Sequence, residues 1–149
     1  MDPDSSKYGD REPATPFGIR CAEQADVDPL VELMLALQDH LEASNPEIWQ
    51  KTESRARLRS QIRSRLAAGN SHAIVAEQAQ HGIVGAIFGR VVTNKRYVPS
   101  RTGVIDQVFV KEEHRRAGLA MRLVGALCRR FAEEDVNDLS LRYVVGNEE

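Results

Sequence analysis

Apolar positions along the chain change rhythm several times, and each change predicts an element. Over residues 17–23, Phe17, Ile19 and Cys21 alternate with Gly18, Arg20 and Ala22, the period of a strand with one covered face. Asp26 then stands as an N-cap, and Leu30, Leu33, Met34, Leu37 and Leu41 make the stripe of an amphipathic helix. Asn45-Pro46 ends it, because proline disfavours helical geometry in the residue before it. Ile48 and Trp49 fall in a connecting segment. A second helix is predicted over about residues 53–68, with Thr52 as N-cap, Leu58, Ile62 and Leu66 spaced four apart, and Gly69-Asn70 as its stop.

Strand patterns follow. Residues 72–77 and 82–92 predict an antiparallel hairpin around Gln78-Ala79-Gln80-His81. Its second strand is almost continuously apolar, so it should be central and covered on both faces, with Gly85 and Gly89 marking bulges or close approaches. Residues 93–103 read as a long polar loop bordering a site. Residues 104–110 form the next strand. A helix with Ala120, Leu123, Val124, Leu127 and Phe131 on its apolar face follows, and then a last strand over residues 138–145. The order is β-α-α-β-β-β-α-β, and its final β-α-β is a parallel, right-handed crossover.

Composition narrows the class. A chain of 149 residues with 42% hydrophobic and 28% charged residues suits one domain, here 17–149, behind a disordered lead-in over 1–16 that holds Pro3, Gly9, Pro13 and Pro16. A net charge of −2 argues against a nucleic-acid partner. No run has membrane-spanning length and no apolar leader opens the chain, so no membrane partner and a cytoplasmic location are expected. Cys21 and Cys128 fall on predicted apolar faces, as buried free thiols in a reducing compartment. His40, His72, His81 and His114 are scattered without ligand spacing, so no metal is expected. No Gly-x-Ser-x-Gly elbow occurs. Arg55, Arg57, Arg59, Arg63 and Arg65 crowd the second helix and read first as a solvated face.

The chemistry concentrates between the fourth strand and the helix after it, at Arg115-Arg116-Ala117-Gly118-Leu119-Ala120. A strand-to-helix turn aims unpaired N–H groups and the positive end of the helix dipole at the space above the strand end, which favours an anion such as a pyrophosphate. Gly118 lets a ligand approach the backbone, and Arg115 and Arg116 add charge. No Gly-Lys-Ser/Thr follows, and the G-x-G-x-x-G spacing is missing, so this is neither a Walker loop nor a dinucleotide fingerprint.

Arg115-x-x-Gly118-x-Ala120 after Val108-Phe109-Val110 resembles the acetyl-CoA loop of the GCN5-related N-acetyltransferases (GNAT), whose pattern is Gln/Arg-x-x-Gly-x-Gly/Ala. The resemblance implies an α/β (α+β) fold. Its mixed, mostly antiparallel sheet has helices on both faces and a parallel unit made by the fourth strand, third helix and fifth strand. It implies acetyl-CoA as cosubstrate, held by residues 115–120 and by backbone groups of Val108, Phe109 and Val110 where the two parallel strands splay. The Val110 amide would polarise the thioester. Asp106 matches a position that often holds a carboxylate assisting deprotonation of the amine, and strand alternation puts it on one face with Val108 and Val110. Asn147 matches the position from which the family continues into a further helix, and is counted with the cofactor contacts.

That helix commonly supplies a tyrosine acid, which Tyr143 does not match, so the domain is expected to be C-terminally incomplete or completed by another chain. A symmetric homodimer is one way to cover the last strand's edge. Two functions stay open: transfer of an acetyl group to a primary amine of a small molecule or peptide, or a non-catalytic CoA-binding or protein-interaction module of the same fold.

Overall fold

The structure is a computed structural model that describes residues 17–44, 54–114 and 118–141. Its strands are β1 (Gly18–Cys21), β2 (Ser71–Gln78), β3 (Gly82–Thr93), β4 (Arg101–Val110) and β5 (Leu139–Leu141); its helices are α1 (Val27–Ser44), α2 (Arg55–Ala67) and α3 (Leu119–Glu133). They lie in one sheet in chain order, antiparallel throughout except for the parallel β4–β5 pair that α3 connects. The expected fold class and element order therefore hold.

Two apolar layers sandwich the sheet, because the long strands carry apolar side chains on both faces. Val75, Ile83, Ala86, Phe88 and Phe109 pack with Val27, Leu30, Leu33 and Met34 of α1 and Leu58 and Ile62 of α2. On the opposite face Ile74, Val84, Ile87, Ile105 and Val110 pack with Leu119, Leu123, Leu127 and Phe131 of α3. As expected, β3 is central and buried over most of its length. Gly89 permits a close crossing: a Cβ there would lie 2.8 Å from Leu127 Cδ2 and 3.0 Å from the Val104 carbonyl oxygen. It also sits where the β3–β4 register shifts. Phe88 faces Gln107, but Gly89 faces Ile105, so Asp106 is the extra residue of a β-bulge.

Several boundaries differ from the sequence reading. The buried stripe of α3 is Leu119, Leu123, Leu127 and Phe131, strictly four apart, while Ala120 is exposed and Val124 half-buried. Strands occupy both ends of the expected 93–103 loop, leaving 94–100, closed by a bond from the Asn94 N–H to the Ser100 oxygen at 2.6 Å. The N-cap of α2 is Ser54, whose hydroxyl accepts from the Arg57 N–H at 3.2 Å. Thr52, Ile48 and Trp49 lie outside the described residues, as does the expected lead-in. Cys21 is exposed at the end of β1 and Cys128 is half-buried, so neither is the core thiol expected.

Asp26 does not cap α1 directly. It ends the 3-10 turn Gln24–Asp26, where its carboxylate accepts from the Glu23 N–H at 2.7 Å and from two nitrogens of Arg20 at 2.8 and 2.9 Å. Arg20 also donates to Glu77 of β2 at 3.0 Å. The bonds from Arg20 hold the Asp26 carboxyl below its ordinary range despite the opposing effect of burial. Reciprocally, Asp26 and then Glu77 hold the Arg20 guanidinium further into its charged form.

Candidate active site

The site forms where β4 ends and α3 begins. β4 is fastened to β3 up to its end, and the Lys111 N–H continues the pairing to the Val84 oxygen at 2.8 Å. A 3-10 turn, Glu112–His114, leads towards the helix. Arg115, Arg116 and Ala117 lie outside the described residues. Gly118 then caps α3 in a left-handed conformation (φ 76°, ψ 12°), which glycine adopts without the steric cost a Cβ imposes. Its carbonyl accepts the first helical bond, from the Arg122 N–H at 3.1 Å.

No side chain of Gly118 exists to satisfy the first N–H groups of α3, and no side-chain cap bond is made there. Among the described residues nothing lies within 4 Å of where a Cβ on Gly118 would be, so they leave the approach open. Leu119, fully buried, pins this first turn to the sheet, while Ala120 faces out. Unsatisfied donors at the positive end of a 15-residue helix, with open space in front, suit an anionic group of pyrophosphate type. The His114 ring packs between Phe17 (5.7 Å between centroids) and His81 of the β2–β3 turn (5.5 Å), beside the same sheet end.

On β4, the side chains of Val108 and Val110 belong to the α3 side of the sheet, and that of Phe109 to the α1–α2 side. β5 pairs with Gly103, Val104 and Ile105, short of Val108. The expected continuation of β5, with Tyr143 and Asn147, lies outside the described residues.

Asp106 does not share a face with Val108 and Val110. Because it is the bulged residue, alternation breaks there, and its carboxylate turns to the α1–α2 side. There Oδ2 accepts from Arg65 of α2 at 2.8 Å and Oδ1 from Arg90 of β3 at 3.2 Å. Arg65 also stands over the Phe88 ring, 4.9 Å from its centroid. Arg90 is not among the residues the sequence singles out, and Arg65 reads there only as one of the crowded arginines of the second helix. A signal exists: Arg90 is the one charge in β3 and Asp106 the one acid in β4. The arginines of α2 are not simply a solvated face either, since Arg55 pairs with Glu32 and Arg59 with Asp28 at 3.2 Å across the α1–α2 groove. Among the described residues, no three His, Cys, Asp or Glu side chains gather as a metal site, and no helix is long and apolar enough to cross a membrane.

A family model described as "Acetyltransferase (GNAT) family" matches residues 34–148. No curated protein matches the chain by sequence. Solved structures match in fold at low identity. One is a ribosomal-protein-alanine N-acetyltransferase from Brucella melitensis biovar Abortus, with a TM-score of 0.67 and 17% identity over 89% of this chain and 85% of that one. Another is an aminoglycoside acetyltransferase from an uncultured soil metagenomic sample, in complex with sisomicin, with a TM-score of 0.69 and 15% identity over 89% and 80%. A third is a predicted acetyltransferase from Clostridium acetobutylicum with acetyl-CoA, with a TM-score of 0.69 and 16% identity over 89% and 84%.

Proposed function

The chain belongs to the GNAT family of acetyltransferases, and from that premise we propose that it transfers an acetyl group from acetyl-CoA to a primary amine of a small molecule or peptide. The observation that carries this reading is the glycine-capped start of α3, whose N–H groups have no side-chain cap and face open space at the end of β4. Acetyl-CoA supplies an activated thioester when bound. The amides of Leu119 and Ala120, with Gly118 giving access, hold its pyrophosphate, and Arg115 and Arg116 add charge. Backbone groups of Val108, Phe109 and Val110 align the pantetheine arm, and the Val110 amide polarises the carbonyl. Asn147 completes the cofactor contacts. Two structural neighbours are named for a protein amine and an aminoglycoside as acceptors, which supports an amine acceptor.

Asp106 takes the role of receiving the acceptor's ammonium and passing its proton on to water, because a protonated amine cannot attack. Each of its oxygens accepts one guanidinium N–H, which leaves lone pairs for the ammonium.

Gly118→Glu tests the cofactor site by placing bulk, a strained φ and a negative charge against the pyrophosphate. Calorimetric titration with acetyl-CoA should show affinity lower by about tenfold or more, equivalent to about 1.4 kcal/mol. Unchanged affinity would place the cofactor elsewhere. Acetyl-CoA binding without turnover across a panel of amines would instead identify a non-catalytic CoA-binding module.

A further inference from the structure

Two guanidiniums hold one carboxylate at the β4 bulge, so the cluster carries one surplus positive charge. The anion is the inner partner: the Asp106 side chain is 15% exposed, against 31% for Arg65 and 38% for Arg90. Among the described residues, neither guanidinium pairs with any other acid. Arg65 stands over the Phe88 ring and gives Asp106 one Nη2 bond; Arg90 gives only its Nε. Each guanidinium has five N–H donors, so most stay available beside the carboxylate. Tying α2 to the sheet needs one such arginine. The second leaves donors and charge in excess, on the sheet face that α1 and α2 cover and two residues along β4 from Val108.

That excess selects its ligand. A planar carboxylate matches guanidinium donors in shape and neutralises one charge, whereas a phosphate dianion would overshoot and a purely cationic amine would be repelled. We propose that Arg65 and Arg90 recognise the acceptor, and that the acceptor is an amine bearing its own carboxylate, as in a short amino acid or a dipeptide with a free C-terminus. The acceptor's carboxylate draws donors from Asp106, and the released carboxylate oxygen meets the ammonium. Recognition and deprotonation are then coupled in one cluster. This rests on the acetyl-transfer reading, which supplies the reaction but not the acceptor.

The test reads binding and needs no turnover. Glycine, 4-aminobutanoate, 5-aminopentanoate, 6-aminohexanoate and glycylglycine, each with its carboxamide, are titrated calorimetrically into the full chain with and without CoA. Members of the series should bind at least about tenfold tighter as acids than as amides. Arg90→Gln should close that gap, Arg90→Lys should keep part of it, and acetyl-CoA affinity should not change in either. Arg65→Gln repeats the test from α2. Acids and amides binding alike, no binding by either series, or a gap that survives both glutamine variants would each overturn the proposal. Acetyl-CoA titrated into the same samples separates the two readings: its failure to bind counts against acetyl transfer and leaves the acid–amide gap readable.

Discussion

One extra residue decides where the chemistry of β4 points. With strict alternation, Asp106 would face the α3 side beside Val108 and Val110; the bulge sends its carboxylate to the α1–α2 side and into the grip of Arg65 and Arg90. No local composition announces that bulge, because Ile105-Asp106-Gln107 reads as an ordinary strand. Asp106→Asn keeps the size and removes the charge. Acetyl-CoA affinity should hold while turnover on a good acceptor falls about a hundredfold at neutral pH, the lower end for loss of a general base. The deficit should shrink as the assay pH rises, because an amine already neutral in solution needs no base. A variant that turned over at the parent rate at neutral pH would pass the role to ordered water.

At the scale of elements, legibility followed burial. β3 and the hairpin were readable because a doubly covered strand must be apolar throughout, and α3 because one stripe meets the sheet. The glycine-led turn was readable because few other residues serve a left-handed cap with open space before it. The start of α2 and the true stripe of α3 were not, since Thr52 and Ser54 are equivalent caps on paper and Ala120 differs from Leu119 only in what it meets. Arg65 and Arg90 were hidden because their significance is tertiary: three elements bring them to one carboxylate.

Gly89, by contrast, is legible in the sequence as a bulge or close approach, and it yields a prediction. Gly89→Ala would set a methyl 2.8 Å from Leu127 Cδ2 and 3.0 Å from the Val104 oxygen, in contact with both α3 and the edge of the bulge. Overpacking of this kind costs about 1–3 kcal/mol, so thermal melting should fall by roughly 3–10 °C in a chain of this size. An unchanged melting temperature would mean that α3 can move away from the sheet without loss.

Across the whole molecule, the ends of the α1 side are held by charge as well as by apolar contact. Arg20 of β1 joins Asp26, at the start of α1, to Glu77 of β2, so one guanidinium ties the edge of the sheet to the helix layer. Asp26 is mostly buried and its folded-state pKa is lowered, first by the bonds from Arg20. A carboxylate whose pKa is depressed on folding contributes stability that is fully present above its unfolded value, near 3.8, and lost as pH falls through the folded value. Arg20 stays charged throughout, so the loss on acidification belongs to the carboxylates. Asp26→Asn should therefore lower stability at pH 6–7 by about 2 kcal/mol, the scale of charged hydrogen bonds at a partly buried site. In melting temperature that is about 4–8 °C. The difference between parent and variant should hold across the neutral range and close as pH drops below about 4, because protonation removes from the parent what the substitution removed from the variant. Melting curves at half-unit pH steps for both proteins check this. A gap that stayed constant down to pH 2.5 would assign the effect of the substitution to packing and neutral hydrogen bonds rather than to the ion pair.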